Sequence, residues 1–159
     1  MEISLPALVP EFPHTFRGVG GFTRIMKDEE LKEILTHYKT VAVVGISPKE
    51  DRPSYRVASY LKSKGYRIVP IRPDGDTILG EKVYPNLLEI PEEIEVDVVD
   101  VFRKSGDVPP VVDDAVQRGT KVLWMQEGVI NKEAESKAEK AGLKVVMDRC
   151  MKKEHQRLL

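Results

Sequence analysis

The 159-residue sequence lacks features that would each point to a specific class of protein. Its one cysteine, Cys150, excludes an intramolecular disulfide, and three scattered histidines are too few for a typical protein zinc cluster. With 25 Lys and Arg against 26 Asp and Glu, the formal charge is −1, so no overall basic field indicates nucleic-acid binding. We therefore expect neither a bound metal nor a nucleic-acid partner.

Long apolar runs are also missing. No run approaches the length of a membrane span, and the amino terminus has no apolar segment typical of a signal peptide. We therefore expect a cytoplasmic protein that does not associate with membranes. The length and a hydrophobic content of 41% fit one globular domain with a substantial core.

Residues 1–26 differ from the rest of the chain. They carry Pro6, Pro10 and Pro13 and a glycine-rich stretch, Gly18–Gly21, with no sustained helical or strand period. We interpret residues 1–26 as an arm on the surface of the domain or of a partner chain, and residues 27–159 as the domain itself. An alternative is that Arg17 and Gly18–Gly21 form a ligand lid.

After residue 26, strand patterns alternate with helical patterns. The predicted helices are Asp28–Tyr38, Ser54–Lys64, Asp107–Arg118, Asn131–Ala141 and Cys150–Leu159, and the predicted strands are Val41–Ile46, Tyr66–Ile71, Val96–Phe102, Lys121–Met125 and Lys144–Met147. Gly65, Gly119 and Gly142 each end a helix just before a strand, which is typical of parallel βα units. The sequence predicts an α/β, Rossmann-like doubly wound fold: a five-stranded parallel sheet in the order 3-2-1-4-5, with helices on both faces.

The stretch Thr40–Ser54 has the layout of a phosphate-binding first βα unit. An apolar strand ends at Gly45, a polar loop with Ser47 and Arg52 follows, and Ser54 is the predicted N-cap of the next helix. The free amides and the dipole of a helix amino terminus favour an anion there. The pattern therefore predicts a phosphorylated ligand without identifying it.

The residues at the strand ends narrow the choice of ligand. NAD is disfavoured because Gly45 stands alone where the dinucleotide fingerprint has three glycines, and because Arg72, not an acid, ends the second strand. An arginine at this position suits a phosphate on the ribose. Coenzyme A and NADP both stay open, although NADP would need the close backbone approach that the missing glycines provide.

Several short motifs at the strand ends carry a family resemblance. They are Val44–Ser47, Arg52–Ser54, Tyr60-Leu61, Gly65-Tyr66, Val69–Pro73, Gly80, Tyr84-Pro85, Val98–Arg103, Trp124–Val129 and Asp148–Lys152. As a set they resemble the stand-alone CoA-binding domain proteins, which are similar to the N-terminal CoA-binding domain of the succinyl-CoA synthetase α subunit. The resemblance covers about residues 30–159.

This resemblance implies a site for coenzyme A or an acyl-CoA. The residues that it places at the ligand are Gly45, Ile46, Ser47, Arg52 and Ser54 around the nucleotide and phosphates, Pro70 and Arg72 beside the adenosine 3′-phosphate, Phe102 and Arg103 along the adenine or pantetheine, and Met125, Gln126 and Glu127 along the pantetheine arm. Arg52, Arg72 and Arg103 would bring positive charge to one crevice of a nearly neutral protein.

No catalytic constellation is evident. The sequence has no Ser-His-Asp spacing and no paired carboxylates on one element, and His14, His37 and His155 match no phosphorylatable histidine motif. We therefore predict a binding protein and not an enzyme, with the role of a CoA sensor or carrier. We also expect it to form a homo-oligomer or to act as a subunit together with a partner. The alternatives are an NADP-binding reductase and one component of an acyl-CoA ligase.

Two side chains have competing interpretations. Cys150 is a candidate redox thiol, because nearby cations and a helix amino terminus favour the thiolate. The thiolate would attack CoA disulfide, forming a mixed disulfide and releasing one CoA thiol. The interpretation that we favour is a buried, small hydrophobic side chain. Trp124 is likewise predicted to lie in the core and not to stack on the ligand.

Overall fold

The computed structural model describes residues 26–159, and each predicted helix and strand ends within two residues of its predicted bounds. The helices are α1 (Asp28–His37), α2 (Pro53–Ser63), α3 (Val108–Gln117), α4 (Lys132–Lys140) and α5 (Met151–Leu158). The strands are β1 (Thr40–Val44), β2 (Arg67–Ile71), β3 (Thr77–Ile78), β4 (Glu81–Lys82), β5 (Val98–Val101), β6 (Val122–Met125) and β7 (Lys144–Val146). The predicted arm and the alternative lid lie outside the described residues, apart from Met26, which is buried.

The five long strands form one parallel sheet in the order β2-β1-β5-β6-β7, and β3 and β4 form a separate antiparallel hairpin. The α/β class and the parallel sheet are confirmed. The predicted order 3-2-1-4-5 is wrong, because the third predicted strand, β5, lies between β1 and β6 and not outside β2.

Pro70 in β2 explains why the third strand does not lie outside β2. The Pro70 carbonyl accepts a hydrogen bond from the amide of Tyr84 at 3.0 Å, so this residue directs its backbone groups to the outer edge of the sheet. Proline has no amide hydrogen for another full strand on that side, and it is tolerated in a sheet mainly at an edge. The outer edge of β2 is therefore limited to a single bridge between Ile71 and Tyr84.

The two faces of the sheet carry separate hydrophobic cores. One face packs against α1, α2 and α5 through side chains such as Leu35, Leu61 and Met151. The other face packs against α3 and α4 through side chains such as Val112 and Ala134. The prediction of helices on both faces is confirmed.

The strand order determines where the crevice opens. From β1 the chain adds β2 on one side, and it then returns to add β5 on the other side of β1. Ligands of open α/β sheets bind beyond the carboxyl ends of the strands at such a switch point. This rule places the candidate crevice at the ends of β1 and β5. The predicted order would have placed it at the ends of β1 and β6.

None of the helices within residues 26–159 has the length and the apolar character needed to cross a membrane.

Candidate ligand-binding crevice

Gly45 brings the ends of β1 and β5 into close contact. Its φ of +89° lies in the left-handed region, and a Cβ added there would stand 2.2 Å from the carbonyl oxygen of Phe102. The Phe102 amide donates to the Val44 carbonyl at 2.8 Å, so β1 and β5 stay hydrogen-bonded up to this point. Only glycine fits this position without displacing backbone atoms. Gly45 and Phe102, both predicted at the ligand, are thus neighbours at the switch point.

The loop after Gly45 is held to the start of α2 by two serines. The amide of Ser47 donates to the Oγ of Ser54 at 2.9 Å, and the amide of Lys49 donates to the Oγ of Ser47 at 3.1 Å. Ser54 is not the N-cap that the sequence predicted, because Arg52 has the extended cap conformation and Pro53 takes the first helical position. The loop therefore presents the exposed Arg52 at the positive end of the α2 dipole.

Arg72 connects β2 to this loop. Its guanidinium donates to the Ile46 carbonyl at 3.1 Å and to the Asp74 carboxylate at 2.9 Å, and its Nε donates to the Asp74 carbonyl at 2.9 Å. Sequence reasoning missed Asp74, although an acid two residues after a candidate anion-binding arginine is visible in the sequence. These bonds orient Arg72 beside Ile46 and neutralise part of its charge.

Arg103 approaches the same loop from the other side. Its Cδ stands 3.6 Å from the Cβ position of Gly45, and its buried Nε has no hydrogen-bond partner within the part of the chain that the structure describes. A buried donor without a partner costs free energy, so it favours a ligand that accepts from it. Arg72 is thus bonded to Ile46, and Arg103 lies beside Gly45.

The predicted residues at the end of β6 have their side chains engaged within the protein. Met125 is fully buried in the core, and the Oε1 of Gln126 accepts from the amide of Met151 at the start of α5, at 3.1 Å. Glu127 forms an ion pair with Lys153 at 2.9 Å. Pro70, on β2, is also buried. The structure brings these residues to the edge of the crevice without leaving their side chains free.

Three connections at this edge are joined by side-chain hydrogen bonds. Asp148, with a φ of +62°, accepts from the amide of Gly128 at 2.7 Å. The Oγ of Ser105 accepts from the amide of Ile130 at 3.0 Å, and the Nδ2 of Asn131 donates to the Ser105 carbonyl at 2.8 Å. The loops after β5, β6 and β7 therefore form one connected wall.

Cys150 and Trp124 both lie in the core. Cys150 is 7% exposed and directly precedes α5, and burial of this kind favours packing over thiol exchange. Trp124 has no exposed surface, and its indole nitrogen donates to the Arg149 carbonyl at 2.8 Å. The core position predicted for Trp124 agrees with this burial.

Asp100 is a buried acid that sequence reasoning missed. It lies on β5 between Val43 and Trp124 of the neighbouring strands, and neither carboxyl oxygen has a hydrogen-bond partner within residues 26–159. Burial raises the pKa of Asp100 well above its usual range, so its neutral form is favoured. An acid inside the apolar run Val98–Phe102 was the available signal.

Within residues 26–159, no three His, Cys, Asp or Glu side chains are grouped so that they could hold a metal ion.

Comparison with protein families gives a match over most of the chain. The model of a family described as "CoA binding domain" matches residues 39–156. This range contains β1, β2, β5 and β6, whose carboxyl ends form the crevice.

Individual relatives fall into two kinds. The chain is 40% identical over 126 residues to the uncharacterized protein YneT of Bacillus subtilis, covering 79% of this chain and 92% of that protein. It is 34% identical over 107 residues to ADP-forming acetate–CoA ligase II of Archaeoglobus fulgidus, covering 66% of this chain but 16% of the ligase. The chain therefore spans nearly the whole of a small relative and a minor part of a large one.

Solved structures share the fold. A hypothetical protein from Pyrococcus horikoshii OT3 matches with a TM-score of 0.81 and 43% identity, covering 86% of this chain and 97% of that one. A dinucleotide-forming acetyl-coenzyme A synthetase from Ca. Korarchaeum cryptofilum matches with a TM-score of 0.61 and 27% identity, covering 69% of this chain and 26% of that one.

Proposed function

Because the chain belongs to the CoA binding domain family, we propose that it binds coenzyme A or an acyl-CoA in the crevice between the ends of β1 and β5. The observation that carries this proposal is the family match over residues 39–156, since that range includes the strand ends around the crevice. The close contact of Gly45 with Phe102 supports it, because Gly45 adds no side chain of its own where the two strand ends meet.

The charges of the crevice suit the phosphates of CoA. Arg52 begins α2 at its positive end, and Arg72 and Arg103 flank the loop residues Gly45 and Ile46. Guanidinium groups bind phosphate oxygens bidentately, and a helix amino terminus adds favourable dipole energy. In this proposal, Arg72 contacts the 3′-phosphate of the adenosine.

The proposal assigns binding to this chain and no reaction of its own. A sensor or carrier of CoA is the role that we favour. The second candidate, a component of an acyl-CoA ligase, is favoured by the similarity to acetate–CoA ligases, of which this chain spans 16% in one case and 13% in another. An NADP-linked reductase is less well supported, because Gly45 is the one glycine of its loop.

Thermal unfolding with CoA, NADP and NAD tests the binding proposal. A ligand at a hundredfold its dissociation constant adds about 2.7 kcal/mol to the free energy of unfolding. We expect a higher unfolding temperature with CoA and a much smaller change with NADP or NAD. Stabilisation by NADP alone would favour the reductase, and no stabilisation by any of the three would contradict the proposal.

Replacing Arg72 tests the ligand's orientation. Arg72→Ala should weaken CoA binding by about tenfold to a hundredfold, the worth of a charge-assisted hydrogen bond, and should weaken dephospho-CoA binding little. Isothermal titration calorimetry measures both affinities. The matched control is Arg67→Ala, an exposed arginine at the opposite end of the same strand, which should bind both ligands normally. Equal losses for the two ligands in Arg72→Ala would remove Arg72 from the 3′-phosphate.

A further inference from the structure

A second group of polar side chains lies between the end of α2, the amino ends of β1 and β2, and the outer side of α5. Lys39 and Tyr66 precede β1 and β2, Tyr60 and Lys64 lie at the end of α2, and α5 packs beside them. We call this group the amino-edge cluster. It consists of Lys39, Tyr60, Lys64, Tyr66, Lys152 and His155.

Aromatic rings form the base of the cluster. The hydroxyl of Tyr60 and the Nδ1 of His155 are 2.7 Å apart, and the rings of Tyr60 and Tyr66 meet the His155 ring edge-on at centroid distances of 5.4 and 5.8 Å. The Tyr66 hydroxyl donates to the Leu35 carbonyl, and burial raises the pKa of Tyr66 to about 12. Tyr66 is therefore neutral and offsets none of the surrounding positive charge.

Three ammonium groups stand around these rings. The Nζ of Lys39 is 4.3 Å from the centroid of Tyr66, and the Nζ atoms of Lys64 and Lys152 are each 5.6 Å from the centroid of Tyr60. Among residues 26–159, no carboxylate forms an ion pair with any of the three. Cation–π contacts hold the side chains in place and do not neutralise their charge.

The positive charge of the cluster affects the pKa of His155. Its partial burial lowers the pKa of His155, and the charges of Lys39 and Lys64 lower it further. The groups that face it are Tyr60 and Lys64 from α2 and Tyr66 and Lys39 from the strand side. On its own helix, the carboxylate of Glu154 is already bound by Arg149 and Arg157. The cluster is therefore a local positive site on a protein whose formal charge is −1.

We propose that the amino-edge cluster binds a phosphate group, with the ammonium groups of Lys39, Lys64 and Lys152 as its ligands. Each ammonium carries three rotatable donors, and phosphate offers several acceptor oxygens and up to two charges, so several lysines around one anion satisfy both partners. Lys39 and Lys64 lie at the amino ends of the strands and the end of α2, whereas Lys152 is on the first turn of α5, one residue after Met151, whose amide bonds to Gln126. The proposal does not depend on CoA binding in the crevice.

Occupancy of the cluster should raise the pKa of His155, since a bound phosphate neutralises the lysines that lower it. NMR titration of the histidine ring protons in inorganic phosphate, and in sodium chloride of equal ionic strength, measures this directly. Salt alone screens the lysines. We therefore expect a larger rise in phosphate than in chloride. His37, which contacts Glu33 on α1, is the internal reference and should behave alike in both salts.

Variants separate a bound anion from a general salt effect. Lys39→Gln combined with Lys64→Gln should weaken phosphate binding about tenfold, because two exposed ion pairs are lost, and should abolish the extra rise in the pKa of His155. Lys132→Gln, an exposed lysine at the start of α4 on the other face, should behave as the natural protein does.

Two results would overturn the proposal. One is that the pKa of His155 is the same in phosphate and in chloride at equal ionic strength. The other is that Arg72→Ala, which alters the crevice, removes the phosphate response, because the anion would then bind in the crevice. Loss of CoA binding without any change at His155 would count against the crevice proposal alone.

Discussion

Gly45 shows how one residue determines the shape of the crevice. Replacing it by alanine would place a methyl group 2.2 Å from the carbonyl oxygen of Phe102, at a φ of +89°. We expect Gly45→Ala to lower the free energy of unfolding by about 3 kcal/mol or more, because left-handed strain and a backbone clash add. Urea unfolding measures the loss.

Gly65 provides the matched control for Gly45. It has a similar φ of +95°, but a Cβ there would meet nothing within 4 Å. Gly65→Ala should therefore cost only the conformational strain, about 1 kcal/mol. Equal losses for the two variants would mean that the Phe102 carbonyl moves aside freely and that the close contact is unimportant.

Asp100 should make the stability of the protein depend on pH. Burial raises the pKa of Asp100 in the folded state, so between the unfolded and the folded pKa the unfolded chain binds fewer protons. Stability from this group is complete below the unfolded pKa and is lost as pH rises toward the folded value, by at most about 1.4 kcal/mol per pH unit.

Asp100→Asn should therefore flatten the fall in stability as pH rises from about 4, the usual pKa of an aspartate, toward the raised folded value. Urea unfolding across this range measures the slope of the free energy against pH. Asp76→Asn, which changes an exposed carboxyl near the β3–β4 hairpin, is the control and should keep the slope of the natural protein. An unchanged slope in Asp100→Asn would show that this carboxyl is ionised in the folded state.

At the scale of single elements, α4 depends on a cap that also joins it to the crevice. The Oδ1 of Asn131 accepts from the amide of Ala134 at 2.8 Å, and its Nδ2 donates to Ser105. Asn131→Ala should lower the free energy of unfolding by about 2 kcal/mol, because both bonds are lost. Asn131→Asp keeps the acceptor and should lose about 1 kcal/mol or less. Thermal unfolding ranks the two variants. An equal loss would show that the hydrogen bond from the Ala134 amide to residue 131 does not contribute to stability.

The existence and bounds of the five α-helices and of the five strands of the parallel sheet were predictable because they depend on local pattern. Apolar spacing and the glycines after helices placed each predicted element within two residues of its observed bounds. Ser54 was mistaken for an N-cap because its residue type fits that position, whereas Pro53 was the stronger signal for the first helical residue. The hydroxyl of Ser54 serves the loop instead.

At the scale of the whole molecule, strand order depends on pairing between distant segments, which local pattern does not encode. Pro70 was the residue that indicated an edge position for β2. Its missing amide hydrogen is a stronger signal than the general expectation that the next strand adds outside β2. Arg72 and Arg103 lie just past the carboxyl ends of β2 and β5, where the strand pattern places them, and their contact with a ligand stays a prediction. The sequence did not predict that Arg72 bonds to the Ile46 carbonyl or that the Nε of Arg103 has no partner within residues 26–159. Both depend on side-chain packing, which residue spacing does not describe.

At the same scale, the two proposed anion sites rely on different cations. Phosphates of CoA would meet arginines at the carboxyl edge, which is fitted to a shaped crevice, and a single phosphate would meet lysines of the amino-edge cluster. Guanidinium groups give fixed bidentate geometry, and ammonium groups act as mobile point charges. This difference suits one selective site and one less selective site on the same chain.

Trp124 gives the protein a built-in optical reporter. It is the one tryptophan of the sequence, it is fully buried, and it pairs in register with Asp100 while bonding to Arg149 beside the crevice. Its emission therefore arises from a single, dry environment. Ionisation of the neighbouring carboxyl and movement of the β7–α5 connection both alter that environment, so the intensity and wavelength of its fluorescence follow both events without any attached label.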